Sequence, residues 1–187
     1  LAVADLDRSV LRVLELIAQA AGSESDDYRY DQTNHHLLAR RAAEDGMVLL
    51  KNEHDLLPLK PEGTIAVIGE FAVDPRYQGS GSSLMNPLQL ENPLEEITAL
   101  IGDAGSVSYC DGKSVAGALD LVRAAAAVIV IAGLPALDES ESFDRPHMGL
   151  PREQLTLIDA ILDEKPDAII VLQNGSPVEL PFAPRAR

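Results

Sequence analysis

The sequence predicts an α/β fold, a three-layer α/β/α sandwich with a mostly parallel sheet, preceded by a helical linker segment. Short, almost wholly apolar runs such as 64–69 and 127–132 are rich in β-branched residues. Such runs are typical of strands that are buried on both faces of a parallel sheet. Helical segments lie between the runs, and they are long enough for the crossovers that parallel strands require.

The helical segment comes first along the chain. Apolar residues recur at three- and four-residue spacing from Val10 to Ala21, and Gly22 is a suitable stop. A polar loop over 23–34 and a second helix over about 35–46 are expected next. We therefore predict a helical segment over residues 1–45 and the sandwich domain over 46–187.

Four strands and three crossover helices are expected within the sandwich domain. The strands are predicted at 64–69, 106–109, 127–132 and 168–172. The helices are predicted to begin at Asn92, Ser114 and Pro151, because Asn and Ser are good N-caps and proline favours a first turn. Ligands of open parallel sheets gather beyond the carboxyl ends of the strands, so a site is expected in the loops that follow them. Residues 174–176 are expected to form a turn there.

Composition excludes several classes of protein. Fifteen Lys and Arg against 30 Asp and Glu give a formal net charge of −15, which argues against binding to nucleic acid or to anionic membranes. Only 4% of the residues are aromatic, so a module that stacks sugars on aromatic platforms is not expected. The single cysteine, Cys110, excludes a disulfide framework and a Cys-rich zinc site.

The loop after the first strand contains the run Arg76-Tyr-Gln-Gly-Ser-Gly-Ser82-Ser83, called here the Gly-Ser loop. Its glycines allow close backbone approach and its serines offer hydroxyls, so it either holds a polar ligand or forms a flexible surface connection. It lacks the Lys-Ser/Thr ending of a P-loop and the Gly-x-Ser-x-Gly of a nucleophile elbow. Its glycines also do not match the dinucleotide-binding pattern.

The loop after the third strand, residues 134–148, is called here the acidic loop. It holds four carboxylates, Asp138, Glu139, Glu141 and Asp144, followed by Arg145 and His147. Like charges close together raise the pKa of one member, which suits a general acid. A solvated acidic loop is the alternative. A Ca²⁺ or Mg²⁺ site is a further interpretation, but the spacing of the carboxylates is not that of an EF-hand, and no metal is required to explain the loop.

Several ordered motifs together resemble the second domain of family 3 glycoside hydrolases, the β-glucosidases, β-xylosidases and their relatives. The motifs are Ala42–Asn52 with Leu56–Leu59, Ile65–Gly69, Pro75–Ser83 with Asn86-Pro87, Glu139–Arg145 with Leu150-Pro151, and Val171–Glu179. In that family a (β/α)₈ barrel precedes the sandwich, and the active site lies between the two. The resemblance implies that 1–45 is the helical tail of a barrel plus the linker, and that the sandwich domain is incomplete at its C-terminal end.

The resemblance also assigns roles to individual residues. It places the general acid/base on Glu141, with Glu139 as the alternative, and substrate contacts on Arg76, Ser82 and Ser83. Asp144 and Arg145 are expected to order the acidic loop by pairing with each other or with neighbours. The acid/base role requires a raised pKa, for which partial burial and the charge of the barrel's Asp nucleophile are the expected sources.

The resemblance implies a retaining hydrolase of terminal, non-reducing β-linked sugars that needs neither metal nor cofactor. Its expected partners are a β-linked glycoside and the barrel, without nucleic acid or membrane, and a homo-oligomer is compatible with the sequence. The isolated chain is expected to be inactive because it lacks the nucleophile. No signal peptide is visible, so a cytoplasmic location is expected. Ser142 replaces the family glycine after the acid/base. The alternative function is a stand-alone Rossmann-like module that binds a small ligand without catalysis.

Overall fold

The computed structural model describes residues 2–22, 27–60 and 62–187, which belong to two compact units. The first unit spans Leu1–Met47 and the second spans Val48–Arg187. Within the described ranges, no helix is both long enough and apolar enough to cross a membrane.

The first unit consists of two helices, α1 (Val3–Ala20) and α2 (Gln32–Gly46). Helix α1 confirms the predicted helix and begins seven residues earlier than the apolar repeat indicated. The loop predicted over 23–34 is wrong at its end, because the Asp31 carboxylate accepts a hydrogen bond from the Asn34 backbone and so starts α2 at Gln32. Residues 23–26 of that predicted loop lie outside the described residues.

The second unit is a four-stranded, wholly parallel sheet with crossover helices. Its strands are β1 (Gly63–Ile68), β2 (Gly105–Cys110), β3 (Ala127–Gly133) and β4 (Ile169–Gln173), in the order β2-β1-β3-β4. Its helices are α3 (Pro93–Ile101), α4 (Val115–Ala124) and α5 (Arg152–Glu164). Asn92 and Ser114 cap α3 and α4 through their side chains, as the sequence predicted.

The sheet separates two apolar layers, which confirms the predicted three-layer sandwich. On one face, Ala66 and Val128 pack with residues of α4 and α5 such as Val122 and Ile158. On the other face, Ile65 and Ile129 belong to a second cluster that includes Ile101 of α3. Strands β1 and β3 are buried on both faces because they are central, which explains their continuous apolar sequence.

The strand order creates a crevice between the ends of β1 and β3. The chain leaves β1 through α3 on one face of the sheet, and it leaves β3 through α5 on the other face. The helices that follow the two loops therefore lie on opposite faces of the sheet, and the loops themselves are at the point where the strand order reverses, which is where open α/β sheets bind ligands. These two loops contain the Gly-Ser run and the acidic run.

Candidate functional site

The Gly-Ser loop and the acidic loop are joined by backbone hydrogen bonds. Ser80 and Ser140 form an isolated parallel bridge. The Ser80 N–H donates to the Glu139 carbonyl at 3.4 Å, and the Glu141 N–H donates to the Ser80 carbonyl at 3.2 Å. The structure therefore brings together two segments about sixty residues apart in the sequence, and it places Glu141 at their junction.

Ser82 binds the Glu141 carboxylate at this junction. The Ser82 N–H donates to Glu141 Oε2 at 3.0 Å, and the Ser82 hydroxyl is a second, short hydrogen-bond donor to the same oxygen. Glu141 is exposed, and the Ser82 hydroxyl followed by the Ser82 backbone N–H lowers its pKa below the ordinary value. The burial and the raised pKa expected for Glu141 are not found in this chain. The side chain is exposed, and its pKa is lowered because the two hydrogen bonds favour the charged form of the carboxylate.

The backbone around Glu141 has two unusual features. Gly81 has φ +91°, and a Cβ added there would lie 2.8 Å from Glu141 Cβ. Ser142 has φ +70°, a left-handed conformation that glycine adopts more easily than serine. Position 142, where the resemblance expects glycine, thus has a backbone conformation typical of glycine although the residue is serine.

The other candidate carboxylate, Glu139, faces the loop after β4. It is half-buried, and its Oε1 accepts hydrogen bonds from the Gly175 N–H at 2.7 Å and the Ser176 hydroxyl at 2.9 Å. The expected turn at 174–176 is thus also a partner of the acidic loop. Glu139 and Glu141 lie on either side of Ser140 and have entirely different partners.

Arg76 anchors the base of the Gly-Ser loop. Its N–H donates to Gln173 Oε1 at 2.7 Å, and its guanidinium donates to the carbonyls of Leu134 at 3.2 Å and Gln78 at 3.1 Å. A cavity of about 500 Å³ lies beside this anchor, and Arg76 is part of its lining. Its lining residues are Arg76, Tyr77, Gln78, Gly79, Glu139, Asn174, Gly175 and Ser176.

The remaining candidates lie around the junction. Ser83 is exposed beside Ser82, and Asp144 is exposed in the acidic loop. Arg145 donates to the Pro177 carbonyl at 2.9 Å, so it pairs with a neighbour. In the part of the chain that the structure describes, no ion pair joins Arg145 to Asp144. Arg145 Nη1 is buried without a hydrogen-bond partner.

Sequence reasoning missed two glutamine side chains that shape the site. Gln173 accepts from the Arg76 backbone, and the Gln78 amide exchanges hydrogen bonds with the N–H and carbonyl of Met85 at 2.8 and 2.9 Å. The latter pair closes the Gly-Ser loop. Neither role has a local sequence signal, because each partner becomes adjacent only in the folded chain.

The geometry gives little support to a metal site or to a phosphate site. Across the described ranges, no group of three or more His, Cys, Asp or Glu side chains could hold a metal ion. A phosphate site needs a glycine-rich turn that opens directly into a helix, whereas residues 84–92 separate the Gly-Ser loop from α3.

Comparison with known proteins gives consistent matches. The family model of the glycosyl hydrolase family 3 C-terminal domain matches residues 47–187. Thermostable beta-glucosidase B of Acetivibrio thermocellus is 42% identical over 192 residues, which cover 97% of this chain and 25% of that protein. Exo-alpha-(1->6)-L-arabinopyranosidase of Bifidobacterium longum is 33% identical, with 98% of this chain and 27% of that protein covered.

A solved structure has the same fold. The crystal structure of the Bifidobacterium adolescentis GH3 beta-glucosidase superposes with a TM-score of 0.84 and 36% identity, over 92% of this chain and 27% of that one. The chain thus spans about a quarter of the length of each of these three relatives.

Proposed function

Because this chain belongs to the glycosyl hydrolase family 3 C-terminal domain family, we propose that it carries the general acid/base of a retaining β-glycosidase. The proposed reaction is hydrolysis of a terminal, non-reducing β-linked sugar. The observation that supports this most directly is the Ser80–Ser140 junction, which holds the exposed Glu141 at the crevice between β1 and β3.

In the proposed first step, Glu141 donates a proton to the glycosidic oxygen while a carboxylate nucleophile attacks the anomeric carbon. The bond to the leaving group breaks and a glycosyl-enzyme forms. In the second step, Glu141 removes a proton from water, the water oxygen attacks the anomeric carbon, and the nucleophile is released. Retention requires the two carboxyl groups to lie about 5–5.5 Å apart.

We place the nucleophile on a (β/α)₈ barrel of the same polypeptide, with 1–45 as the barrel's helical tail and the linker. This is the arrangement that the family resemblance implies, and it agrees with the chain's coverage of a quarter of its relatives. The isolated chain should then be inactive on every glycoside. A negative nucleophile near Glu141 would raise the pKa of Glu141 and oppose the effect of Ser82.

The Gly-Ser loop is proposed to orient Glu141 and to meet the substrate. Ser82 supplies two donors to the carboxylate in the chain as it stands. When substrate is bound, the exposed Ser83 hydroxyl can donate to or accept from a sugar hydroxyl, whereas the Ser82 hydroxyl, which donates to Glu141, can accept from one. Arg76 lines the cavity, but its guanidinium already donates to two backbone carbonyls, which favours an anchoring role in addition to the predicted substrate contact.

The names of the relatives suggest the sugars to test. One relative is called a beta-glucosidase and the other an exo-alpha-(1->6)-L-arabinopyranosidase. We propose a β-glucoside as the first substrate, since the first relative is more similar. An α-L-arabinopyranoside is the second choice.

The test uses the full-length polypeptide with Glu141→Ala and, as a matched control, Glu62→Ala at the opposite end of the sheet. Hydrolysis of 2,4-dinitrophenyl β-glucoside is compared with hydrolysis of an unactivated disaccharide, with and without azide. General acid catalysis is worth about 10²–10⁴-fold, so disaccharide hydrolysis should fall by that factor in Glu141→Ala. The activated substrate should be partly spared, and azide should restore its rate.

Two results would reject the proposal. If Glu141→Ala matches Glu62→Ala on both substrates, Glu141 is not the acid/base. If the unmutated polypeptide hydrolyses no β-glucoside, β-xyloside or α-L-arabinopyranoside, the glycosidase assignment itself fails.

A further inference from the structure

The acidic loop contains a carboxylate that the proposed mechanism does not use. Glu139 is half-buried and accepts three hydrogen bonds, two on its side-chain Oε1 and one on its backbone carbonyl. We infer that Glu139 is a positioning residue that fixes the location of Glu141. This inference rests on the proposed acid/base role of Glu141.

Glu139 ties three loops together. It belongs to the loop after β3, its carbonyl accepts from Ser80 in the loop after β1, and its carboxylate accepts from Gly175 and Ser176 in the loop after β4. The fit at the third loop is close, since a Cβ added to Gly175 would lie 3.3 Å from Glu139 Oε1. One residue therefore connects the loops that follow three neighbouring strands, through its backbone on one side and its carboxylate on the other.

These contacts are coupled directly to Glu141. Only Ser140 separates the two glutamates, and Ser140 is the residue that bridges to Ser80. Ser80 in turn accepts from the Glu141 backbone, and Ser82, two residues further on, binds the Glu141 carboxylate. Removal of the Glu139 side chain leaves the Gly175 and Ser176 donors without their acceptor and frees the acidic loop just before the Ser80 junction.

The geometry separates positioning from acid/base chemistry at Glu139. Both side-chain donors converge on the same oxygen, Oε1. The amide oxygen of glutamine can accept the same two hydrogen bonds, but an amide cannot exchange a proton with a substrate at neutral pH. Glu139→Gln should therefore keep a positioning role and abolish an acid/base role, whereas Glu139→Ala abolishes both.

The experiment compares Glu139→Gln, Glu139→Ala and Glu141→Ala in the full-length polypeptide, with Asp138→Ala as the matched control. The readout is kcat/KM over a series of aryl β-glucosides with progressively poorer leaving groups, with and without azide. A displacement of about 1 Å can cost about 10²-fold, so Glu139→Ala should lose about that factor on the poorest leaving group and much less on 2,4-dinitrophenyl. Glu139→Gln and Asp138→Ala should keep the wild-type leaving-group dependence.

The double variant Glu139→Ala/Glu141→Ala completes the cycle. If Glu139 acts through Glu141, the second substitution should add no further dependence on the leaving group. Circular dichroism and thermal unfolding of each variant show whether it is folded. If Glu139→Ala does not fold, Glu139→Gln still tests the inference, because a leaving-group dependence steeper than that of the wild type, or rescue by azide, overturns it.

Each contrary outcome has a distinct meaning. If Glu139→Gln is as impaired as Glu139→Ala on poor leaving groups and azide restores its rate, Glu139 is itself the acid/base and the inference is overturned. An equal loss on all leaving groups in a folded Glu139→Ala also overturns it, because Glu141 is then not misplaced. Failure of the proposed function appears separately, as a Glu141→Ala variant that keeps the wild-type leaving-group dependence.

Discussion

Gly81→Ala should displace Glu141, because Gly81 lies directly against that residue. A Cβ at position 81 would be 2.8 Å from Glu141 Cβ and 3.3 Å from both Glu141 N and Oε2. Carbon atoms in contact prefer about 3.5–4.0 Å, so either residue must move by about 1 Å. Gly81 also has φ +91°, which an alanine adopts only under strain.

The size of the effect follows from these two terms. A left-handed L-residue costs about 1–2 kcal/mol, and an overpacked contact costs about 1–3 kcal/mol. We expect Gly81→Ala to lower the free energy of unfolding by about 2–5 kcal/mol if the loop stays in place, and by less if it moves. Movement has its own consequence, since it separates Glu141 from Ser82 and lets the pKa of Glu141 rise towards its ordinary value.

Gly79→Ala is the matched control in the same loop. A Cβ at Gly79 would lie 3.6 Å from Ser83 Oγ and 3.9 Å from the Glu139 carbonyl, which are ordinary contacts. The assays are urea unfolding of the chain and a carbon-13 NMR titration of the Glu141 carboxyl. If Gly81→Ala has the same stability and the same Glu141 pKa as Gly79→Ala, the close packing of Gly81 on Glu141 is refuted.

Two further predictions concern the same junction. Ser82→Ala removes the hydroxyl that contributes most to the lowered pKa of Glu141, so the pKa should rise in an NMR titration; an unchanged pKa contradicts the assignment. Because the pKa of Glu141 is lower in the folded chain than in the unfolded chain, Glu141 stabilises the folded chain above its unfolded-state pKa. That stabilisation is lost as the pH falls through the folded-state pKa. Ser82→Ala should therefore also make the loss of stability at acid pH smaller. Ser142→Gly relieves a left-handed serine, worth about 1–2 kcal/mol, against about 0.5–1 kcal/mol of added unfolded-state entropy, so urea unfolding should show a small gain in stability. A clear loss would show that the serine side chain contributes at this position.

Local sequence features were sufficient to predict most of the fold. The four strands, the three crossover helices and the caps at Asn92 and Ser114 follow from apolar patterning and N-cap chemistry, which act over a few residues. The start of α2 was misplaced although the signal was present, because the Asx cap at Asp31 lay inside a polar stretch that was interpreted as a loop. The two loops of the candidate site were also found from residue types and their place after strands.

Only the tertiary structure decided how those loops meet. The order β2-β1-β3-β4 puts β1 beside β3, and this adjacency allows Ser80 to pair with Ser140. The sequence left Glu139 and Glu141 as alternatives, because their charges and neighbours are similar along the chain. In the folded protein one carboxylate meets Gly175 and Ser176 and the other meets Ser82, since hydrogen-bond partners are set by distances in space that no local pattern encodes.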